Sequence, residues 1–391
     1  MTPDSLFYIE LAEILLDSQT FPSIFRTPVY PSFIALIFGI FGHFPQAVVA
    51  SQIFLDSLTA VLVFFIFLET FGKERYAYGA GFFYAVSPFS IYYSNVIRSE
   101  ILFACIMTAA VYFFIVFLKK KQKRYLFASS LSLGVGILCR PIALYLPLLL
   151  TPLVFSESAR IKEKLANCAV FWVAIAIILI PWYIRNDQQY GYRGISTVKD
   201  SNMFYFEATA VLMIKDDPSS AIKMDINETF YKHQMHLWET VKKKYGWEAQ
   251  TPITVLDDAE KTAILRGEGM KIVQEHTFYA VLAHTAGMGR TLCPYPPHFE
   301  RLTGSAATGV RWFAFLTDAA IMGLSLFGII STARRTSHGR GGKIALLIMI
   351  LLIFYFSFIP GIMGYPRFKV PVMPLICIFA SYGLGRMGKD L

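Results

Sequence analysis

Several features that are typical of soluble and secreted proteins are missing from this sequence of 391 residues. Of its five cysteines only Cys293 lies in a polar region, so we expect no disulfide. The N-terminus is polar and acidic, whereas a signal peptide begins with a basic and then an apolar region, so no signal peptide is predicted. A fixed-period repeat is also missing, which speaks against a transporter built from two similar halves.

Acidic residues are outnumbered, with 27 Asp and Glu against 36 Lys and Arg, and the net charge is +9. In a soluble protein this excess would suggest a nucleic-acid partner. Here the basic residues cluster in short loops between apolar runs, most clearly at Lys119–Arg124, and such loops stay on the cytoplasmic side of a membrane. We therefore attribute the charge to membrane topology and predict no nucleic-acid partner.

Long apolar runs, in contrast, are abundant. Hydrophobic residues make up 55% of the chain and the mean hydropathy is +0.50. A helix needs about 20 apolar residues to cross a bilayer, and runs such as Ile101–Leu118 do not alternate as the strands of a barrel do. The sequence predicts an all-α polytopic membrane protein with about nine transmembrane helices, at residues 46–71, 76–94, 99–118, 125–139, 141–155, 166–184, 308–331, 343–361 and 368–386.

The basic loops give each predicted span a direction. If all of them are cytoplasmic, an even number of spans joins each consecutive pair. The apolar stretch 125–155 lies between two basic loops, so it is predicted to turn back at Arg140, before Pro141. Four parts result: a first outer loop with juxtamembrane helices (1–45), an N-terminal transmembrane bundle (46–184), a small extracytoplasmic loop domain (185–307) and C-terminal transmembrane helices (308–391).

The outer segments also carry helical patterns. Residues 1–19 predict one amphipathic helix along the membrane surface. The apolar run 32–41 is too short to span comfortably and is predicted to be re-entrant or interfacial. In the loop domain, residues 232–245 and 258–288 are predicted to be helical.

Six ionisable residues from distant parts of the chain are predicted to share the outer ends of the spans: Asp4, Arg26, Arg98, Glu100, Arg140 and Arg367. Ionisable groups at membrane depth are costly, so they are candidates for function. A guanidinium group binds phosphate through two hydrogen bonds, and a carboxylate beside a hydroxyl group can act as a general base. The cluster therefore predicts an anionic, lipid-linked substrate.

Five of these residues also have a purely structural explanation. Asp4 would cap the N-terminus of a helix, and Glu100 would face a helix dipole. Arg98 and Arg367 would reach the lipid headgroups from the span ends, and Arg140 would anchor its turn at the interface. A divalent metal is compatible with the chain, but no ligand set is evident, because the nearest pairs lack a third member: Asp216–Asp217, Asp257–Asp258 and His233–His236.

Six short motifs, in order along the chain, carry a resemblance to a known superfamily. They are Asp4–Ala12, Arg26–Phe33, Ser87–Ser94 with Arg98–Phe103, Cys139–Pro141, Pro181–Asn186 and Pro366–Pro374. Together they resemble the membrane glycosyltransferases of the GT-C type. The resemblance is to the bacterial relatives of the dolichyl-phosphate-mannose protein mannosyltransferases and of the lipid A aminoarabinose transferases.

The resemblance implies an inverting transfer of a sugar from a polyprenyl-phosphate carrier to an acceptor hydroxyl group. The acceptor would be a protein, a lipid or a glycan, and the active site would face the periplasm or exterior of a bacterial inner membrane. Asp4 would be the catalytic carboxylate, and Glu100, in the same cavity, is the second predicted catalytic residue. The phosphate side would be formed by Arg98, Arg140, Arg367 and Arg26. The family divides on metal use, and we predict no required cofactor because a phosphate leaving group needs no obligatory metal. The superfamily has a transmembrane helix before the first acid, so we expect one upstream of Asp4.

Two other functions fit the same sequence. A transporter or flippase of lipid-linked sugars would carry charges at mid-span, and Asp56, Glu69 and Asp318 are the residues of that kind. A non-enzymatic subunit of a polysaccharide assembly system would use the large outer loop as a binding surface. Release of sugar from a labelled carrier distinguishes the enzyme from both.

Overall fold

The computed structural model describes residues 2–158, 160–223, 228–248, 250–252, 256–294, 308–333 and 340–388. Within these ranges the fold is all-helical, which confirms the predicted class. Helices long and apolar enough to cross a membrane lie at Pro45–Phe71, Glu100–Lys120, Ile161–Tyr190, Gly309–Ala333, Gly341–Phe358 and Arg367–Met387. These six match six of the predicted spans, and the predicted number of nine is not confirmed.

The helices of the N-terminal half are α1 (Pro3–Ser18), α2 (Val29–Phe41), α3 (Pro45–Phe71), α4 (Glu74–Ala85), α5 (Pro88–Ser94), α6 (Glu100–Lys120), α7 (Lys123–Cys139), α8 (Leu146–Ser156) and α9 (Ile161–Tyr190). Those that follow are α10 (Val198–Asn202), α11 (Thr209–Asp216), α12 (Ser220–Lys223), α13 (Glu228–Tyr245), α14 (Ala259–Glu275), α15 (Thr277–Leu292), α16 (Thr308–Ala333), α17 (Arg340–Phe358) and α18 (Met373–Met387). A π-helical segment, Met203–Ala208, joins α10 to α11. Short 3₁₀ helices occur at Pro141–Ala143, Gly361–Met363 and Pro366–Val372.

Two predicted helical stretches are interrupted in the structure, and one predicted span is shorter than expected. The stretch 76–94 is not one continuous helix: Ser87 has an extended backbone, because the following proline disfavours the α region, and α4 and α5 are separate. The stretch 125–155 does turn at Arg140, which is also extended, but the second arm is the short α8. The stretch 258–288 is interrupted at His276 between α14 and α15.

The most deeply buried helices of the bundle are α18 and α6, and α18 packs along α16 and α4. Small residues allow the α16–α18 crossing. A Cβ atom on Gly328 would clash with the carbonyl of Phe379, and one on Gly383 would clash with the carbonyl of Leu324. Such close backbone approach at small residues is typical of membrane helix pairs.

The helices between α9 and α16, which are α10–α15 and the π-helical segment, pack over one end of this bundle, and we call them the outer helices because they lie outside the bundle. The π-helical segment lies against α14, α11 packs on α13, and α15 packs on α17 and on the 3₁₀ helix Gly361–Met363. The α6–α7 hairpin begins at Glu100 and returns to Arg140, so both residues lie at the same end of the hairpin. The basic run Lys119–Arg124 lies at the other end. A cavity forms where the first end meets the outer helices.

Candidate active site

A cavity of about 560 Å³ lies between α1, the loop before α2, the ends of α6 and α7, and the outer helices. All six ionisable residues selected from the sequence line it: Asp4, Arg26, Arg98, Glu100, Arg140 and Arg367. The structure therefore brings together residues that are up to 363 positions apart in the chain. Among all lining residues, six Lys and Arg face four Asp and Glu, so the cavity carries an excess of positive charge.

The Asp4 carboxylate is surrounded by three guanidinium groups. Its Oδ1 atom lies 2.8 Å from Nη2 of Arg26, and its Oδ2 atom lies 3.4 Å from Nη2 of Arg98. Nη1 of Arg367 lies 3.9 Å from the same Oδ2 atom. Side chains that are this distant in sequence and share one carboxylate form a charge network rather than separate contacts to solvent or lipid.

The N-terminus of α1 does not need Asp4 as a cap. Thr2 is the N-cap residue, and its hydroxyl accepts a hydrogen bond from the backbone N–H of Ser5 at 3.2 Å. The two side chains also complete a capping box. The capping explanation for Asp4 is therefore wrong, and its carboxylate is available to the cavity.

Glu100 and Arg140 form the most buried ion pair in the cavity wall. The Glu100 side chain is 4% exposed and that of Arg140 is 15% exposed, and Nη1 of Arg140 lies 2.8 Å from Oε1 of Glu100. The Arg140 guanidinium also lies over the rings of Phe103 and Phe368. Glu100 starts α6, where the helix dipole favours a negative charge, so the pair is stabilised from two directions.

The loop that presents Arg26 is held in place from the outer helices. Asp257 accepts hydrogen bonds through Oδ1 from the Ser23 hydroxyl (2.9 Å) and from the backbone N–H groups of Ile24 (2.8 Å) and Phe25 (2.9 Å). Arg185, from the Pro181–Asn186 motif, donates to the carbonyl groups of Phe21 and Ser23. Asp257 is thus a structural residue here and not one of a metal-binding pair.

The backbone before Arg98 is fixed by an amide inside the bundle. Gln52 donates through Nε2 to the carbonyl groups of Ser94 (3.1 Å) and Val96 (2.9 Å). Its Oε1 atom accepts a hydrogen bond from the Tyr30 hydroxyl at 2.6 Å. Through Gln52, these contacts link the Arg26–Phe33 motif to the backbone that precedes Arg98.

A fully buried ion pair lies two residues beyond Arg367, in the same 3₁₀ helix. Nζ of Lys369 lies 2.5 Å from Oδ2 of Asp318 in α16, and both side chains are 0% exposed. Nζ also donates to the carbonyl of Cys293 and lies over the ring of Phe89. Asp318, one of the three mid-span acids that fitted a transporter, is therefore a structural partner within the bundle.

Asp56, the second of those acids, is also satisfied inside the bundle. Tyr84 donates to its Oδ1 atom at 2.6 Å, and the Ser90 hydroxyl contacts both carboxylate oxygens, at 2.5 and 2.6 Å. The third, Glu69, pairs at 2.7 Å with Lys119 near the basic end of the hairpin. Structural partners thus account for all three residues.

Comparisons with known proteins agree with this architecture. A family model described as dolichyl-phosphate-mannose-protein mannosyltransferase matches residues 25–184. The predicted resemblance to GT-C type membrane glycosyltransferases is confirmed. No curated protein sequence matches the chain significantly.

Solved structures share the fold over almost the whole chain. The oligosaccharyltransferase AglB of Archaeoglobus fulgidus, in complex with an inhibitory peptide and a dolichol-phosphate, matches 99% of this chain with a TM-score of 0.60 and 14% identity. The same enzyme tethered to an acceptor peptide matches 98% with a TM-score of 0.57 and 15% identity. This chain spans 46% and 45% of those two chains. At such low identity the likeness is one of fold.

A second group of lining residues comes from the outer helices and was not predicted from the sequence. It comprises Lys199, Asp200, Glu207, Arg266 and His284. Asp200 is buried and accepts a hydrogen bond from the Tyr192 hydroxyl at 2.7 Å, and Arg266 lies 3.4 Å from it. Their sequence contexts look like ordinary solvated helices, so only the packing of the outer helices over the bundle identifies them.

The metal-ligand pairs that the sequence singled out have other partners. In the described ranges, no group of three or more His, Cys, Asp or Glu residues is arranged to hold a metal ion. Asp258 caps α14 by accepting from the Lys261 backbone N–H at 2.9 Å. His233 lies 3.2 Å from Asp216 as an isolated pair. The described lining residues offer guanidinium groups, the ammonium group of Lys199, carboxylates and one imidazole.

Proposed function

We propose that this protein is a glycosyltransferase that moves a sugar from a polyprenyl-phosphate carrier to an acceptor hydroxyl group, with inversion at the anomeric carbon. The observation that carries the proposal is the cluster of four arginines around Asp4 and Glu100 at one end of an apolar helical bundle. The resemblance to GT-C type enzymes supports the reaction class.

The arginines suit the phosphate of the carrier. A carrier that bears a sugar is a phosphodiester with one negative charge, and the phosphate gains charge as the sugar leaves. A cavity with excess guanidinium groups stabilises that growing charge more than the starting charge, which is the requirement for catalysis. Arg98 and Arg367 are best placed to bind the phosphate, since both line the cavity and lie beside Asp4, at 3.4 and 3.9 Å. Because the arginines supply this charge, the proposed reaction needs no further cofactor.

Asp4 is the proposed general base. Its Oδ1 atom pairs with Arg26 at 2.8 Å, whereas its Oδ2 atom has only the longer contacts to Arg98 (3.4 Å) and Arg367 (3.9 Å) and is the oxygen better placed to accept a proton. In the proposed step the acceptor oxygen forms a bond to the anomeric carbon, and its proton passes to Asp4. The bond from that carbon to the phosphate oxygen breaks, and the electron pair leaves with the phosphate.

The rest of the molecule fits a lipid-linked donor. The bundle offers apolar helix faces for a prenyl chain, and the cavity lies at the end of the α6–α7 hairpin opposite the basic run Lys119–Arg124. By the positive-inside rule that end faces away from the cytoplasm. We therefore propose an active site on the outer face of a bacterial inner membrane, with a protein, lipid or glycan as acceptor.

The alternative functions differ in what happens to the carrier. We propose a test with the purified protein in liposomes and undecaprenyl phosphate carrying radiolabelled mannose or glucose, with peptide and glycan acceptors added. A glycosyltransferase releases the label from the lipid and attaches it to an acceptor. A flippase moves intact labelled lipid between leaflets, and an assembly subunit leaves it unchanged. Either of the last two results would contradict the proposal.

A further inference from the structure

Glu207 and His284 form an ion pair in the cavity wall that the proposed reaction has not used. Nε2 of His284 lies 3.3 Å from Oε2 of Glu207, and Nδ1 of His284 lies 2.9 Å from the carbonyl oxygen of Phe358. The His284 side chain is 24% exposed and that of Glu207 is 15% exposed, so both reach the cavity while remaining largely enclosed.

The hydrogen bonds determine where the proton of this pair lies. A carbonyl oxygen only accepts, so Nδ1 of His284 carries a hydrogen. The opposite nitrogen faces a carboxyl group, and one of the two must supply a hydrogen there. With one hydrogen shared between Nε2 and the carboxyl group, the two side chains together carry no net charge. Such a pair does not attract a phosphate group, in contrast to the arginines around Asp4.

The surrounding backbone is built to leave room for this pair. Gly361 has φ = +56°, and a Cβ atom there would clash with Oε1 of Glu207 and would lie 2.8 Å from Cε1 of His284. Glu207 lies in the π-helical segment Met203–Ala208, and single π-turns occur often at functional sites. A glycine and an irregular helical turn thus place one carboxyl group at the cavity surface.

We propose that Glu207, positioned by His284, binds the hydroxyl groups of the sugar that the carrier brings. Both nitrogen atoms of His284 already have partners, so recognition falls to the remaining lone pairs of the Glu207 carboxyl group. Sugar hydroxyl groups donate to a carboxylate, and two neighbouring hydroxyl groups can donate to its two oxygens. In this proposal the phosphate lies with the arginines and the sugar with the pair of zero net charge, so one cavity holds both parts of the donor. This inference rests on the proposed function.

The test compares two kinds of lipid with three variants. Affinities for undecaprenyl phosphate and for undecaprenyl phosphate carrying mannose, glucose or galactose are measured by fluorescence titration in detergent. We expect the wild type to bind at least one sugar-bearing lipid more tightly than the sugar-free lipid. Glu207→Gln should lose about tenfold in affinity for that lipid, as expected for a hydrogen bond to a charged group, and keep its affinity for the sugar-free lipid.

His284→Gln should show the same selective loss to a smaller degree, because it acts only by holding Glu207. The matched control is Glu268→Gln, since Glu268 is also a paired carboxylate of the outer helices, bound to Lys244 and Lys271, and does not line the cavity. It should bind both lipids as the wild type does.

The outcomes separate this inference from the proposed function. If the wild type binds neither kind of lipid, the proposed function fails. If the wild type binds all the lipids equally, or if Glu207→Gln weakens binding of sugar-bearing and sugar-free lipid alike, the sugar subsite is wrong. In that case the pair only clamps α15 to the bundle, and the arginine site stands.

Discussion

Arg140 and Glu100 form a 2.8 Å ion pair that joins the two ends of the α6–α7 hairpin at the cavity. The pair is nearly inaccessible to solvent, and its charges lie where one helix begins and another ends. It therefore fixes the distance between the two ends of the hairpin and places one negative and one positive charge in the cavity wall.

We predict that removing one partner of this pair destabilises the protein strongly. Glu100→Gln leaves the Arg140 guanidinium buried without its counter-charge, which costs about 3–5 kcal/mol for pairs of this kind. The apparent melting temperature in detergent, followed by tryptophan fluorescence, should fall clearly. The double variant Glu100→Gln with Arg140→Met should recover most of the loss, and a double variant as unstable as the single one would contradict the explanation.

The Lys369–Asp318 pair predicts a different combination of effects. Lys369→Met leaves Asp318 buried and uncompensated, so stability should fall by a similar amount, about 3–5 kcal/mol. Because Lys369 and Arg367 share one 3₁₀ helix, affinity for undecaprenyl phosphate should also fall. Lys369→Met combined with Asp318→Leu should restore stability but not affinity. Full recovery of affinity in the double variant would show that the pair does not position Arg367.

The loop before α2 offers a prediction about the binding site alone. Asp257→Ala removes three hydrogen bonds that hold residues 23–25, so the neighbouring Arg26 side chain should no longer be held in one position in the cavity. We expect affinity for undecaprenyl phosphate to fall about tenfold. Asp258→Ala is the control, because it removes the adjacent carboxylate and a helix cap but no contact to this loop. Equal losses in both variants would point to a general effect on the outer helices.

The pH dependence of stability should report on His284. Burial alone would lower the pKa of His284, but the hydrogen bond and charge of Glu207 and the bond to the Phe358 carbonyl outweigh it, so the pKa lies above its ordinary value. The folded state then binds this proton more tightly than the unfolded state does. The stabilisation is complete below about pH 6.5 and is lost as the pH rises through the folded pKa.

Melting temperatures of the wild type and of His284→Gln, measured from about pH 5 to pH 9, test this prediction. The difference between the two proteins should shrink as the pH rises. A difference that is constant or grows with pH would have the wrong sign for the proposed linkage.

Much of the cavity could be predicted from the sequence because its residues lie at helix ends. Glu100 and Arg140 were placed together by the turn at Pro141 and by the sidedness of the basic loops, and the structure pairs them. Sidedness also predicts Asp4, Arg98 and Arg367 at the same end of the bundle, and in the structure both arginines contact the Asp4 carboxylate. Their catalytic and phosphate-binding roles remain predictions.

The remaining parts depend on packing that local patterns do not contain. Glu207 and His284 lie on outer helices whose sequence resembles an ordinary polar surface, and only the approach of α15 to Gly361 joins them. Hydropathy predicts one helix over 76–94, but Pro88 starts a new helix there, so α4 and α5 are separate. The buried Lys369–Asp318 pair joins segments 51 residues apart, which no spacing rule identifies.

The most direct test of the central claim is sugar transfer by Asp4→Asn. Transfer from undecaprenyl phosphate carrying radiolabelled sugar is compared in proteoliposomes for the wild type, Asp4→Asn and Asp17→Asn, a control that changes an exposed acid on the same helix. We expect Asp4→Asn to lower kcat by about 10²–10⁴-fold, the usual contribution of a general base, while affinity for undecaprenyl phosphate is kept and Asp17→Asn transfers normally. Undiminished transfer by Asp4→Asn would contradict the account.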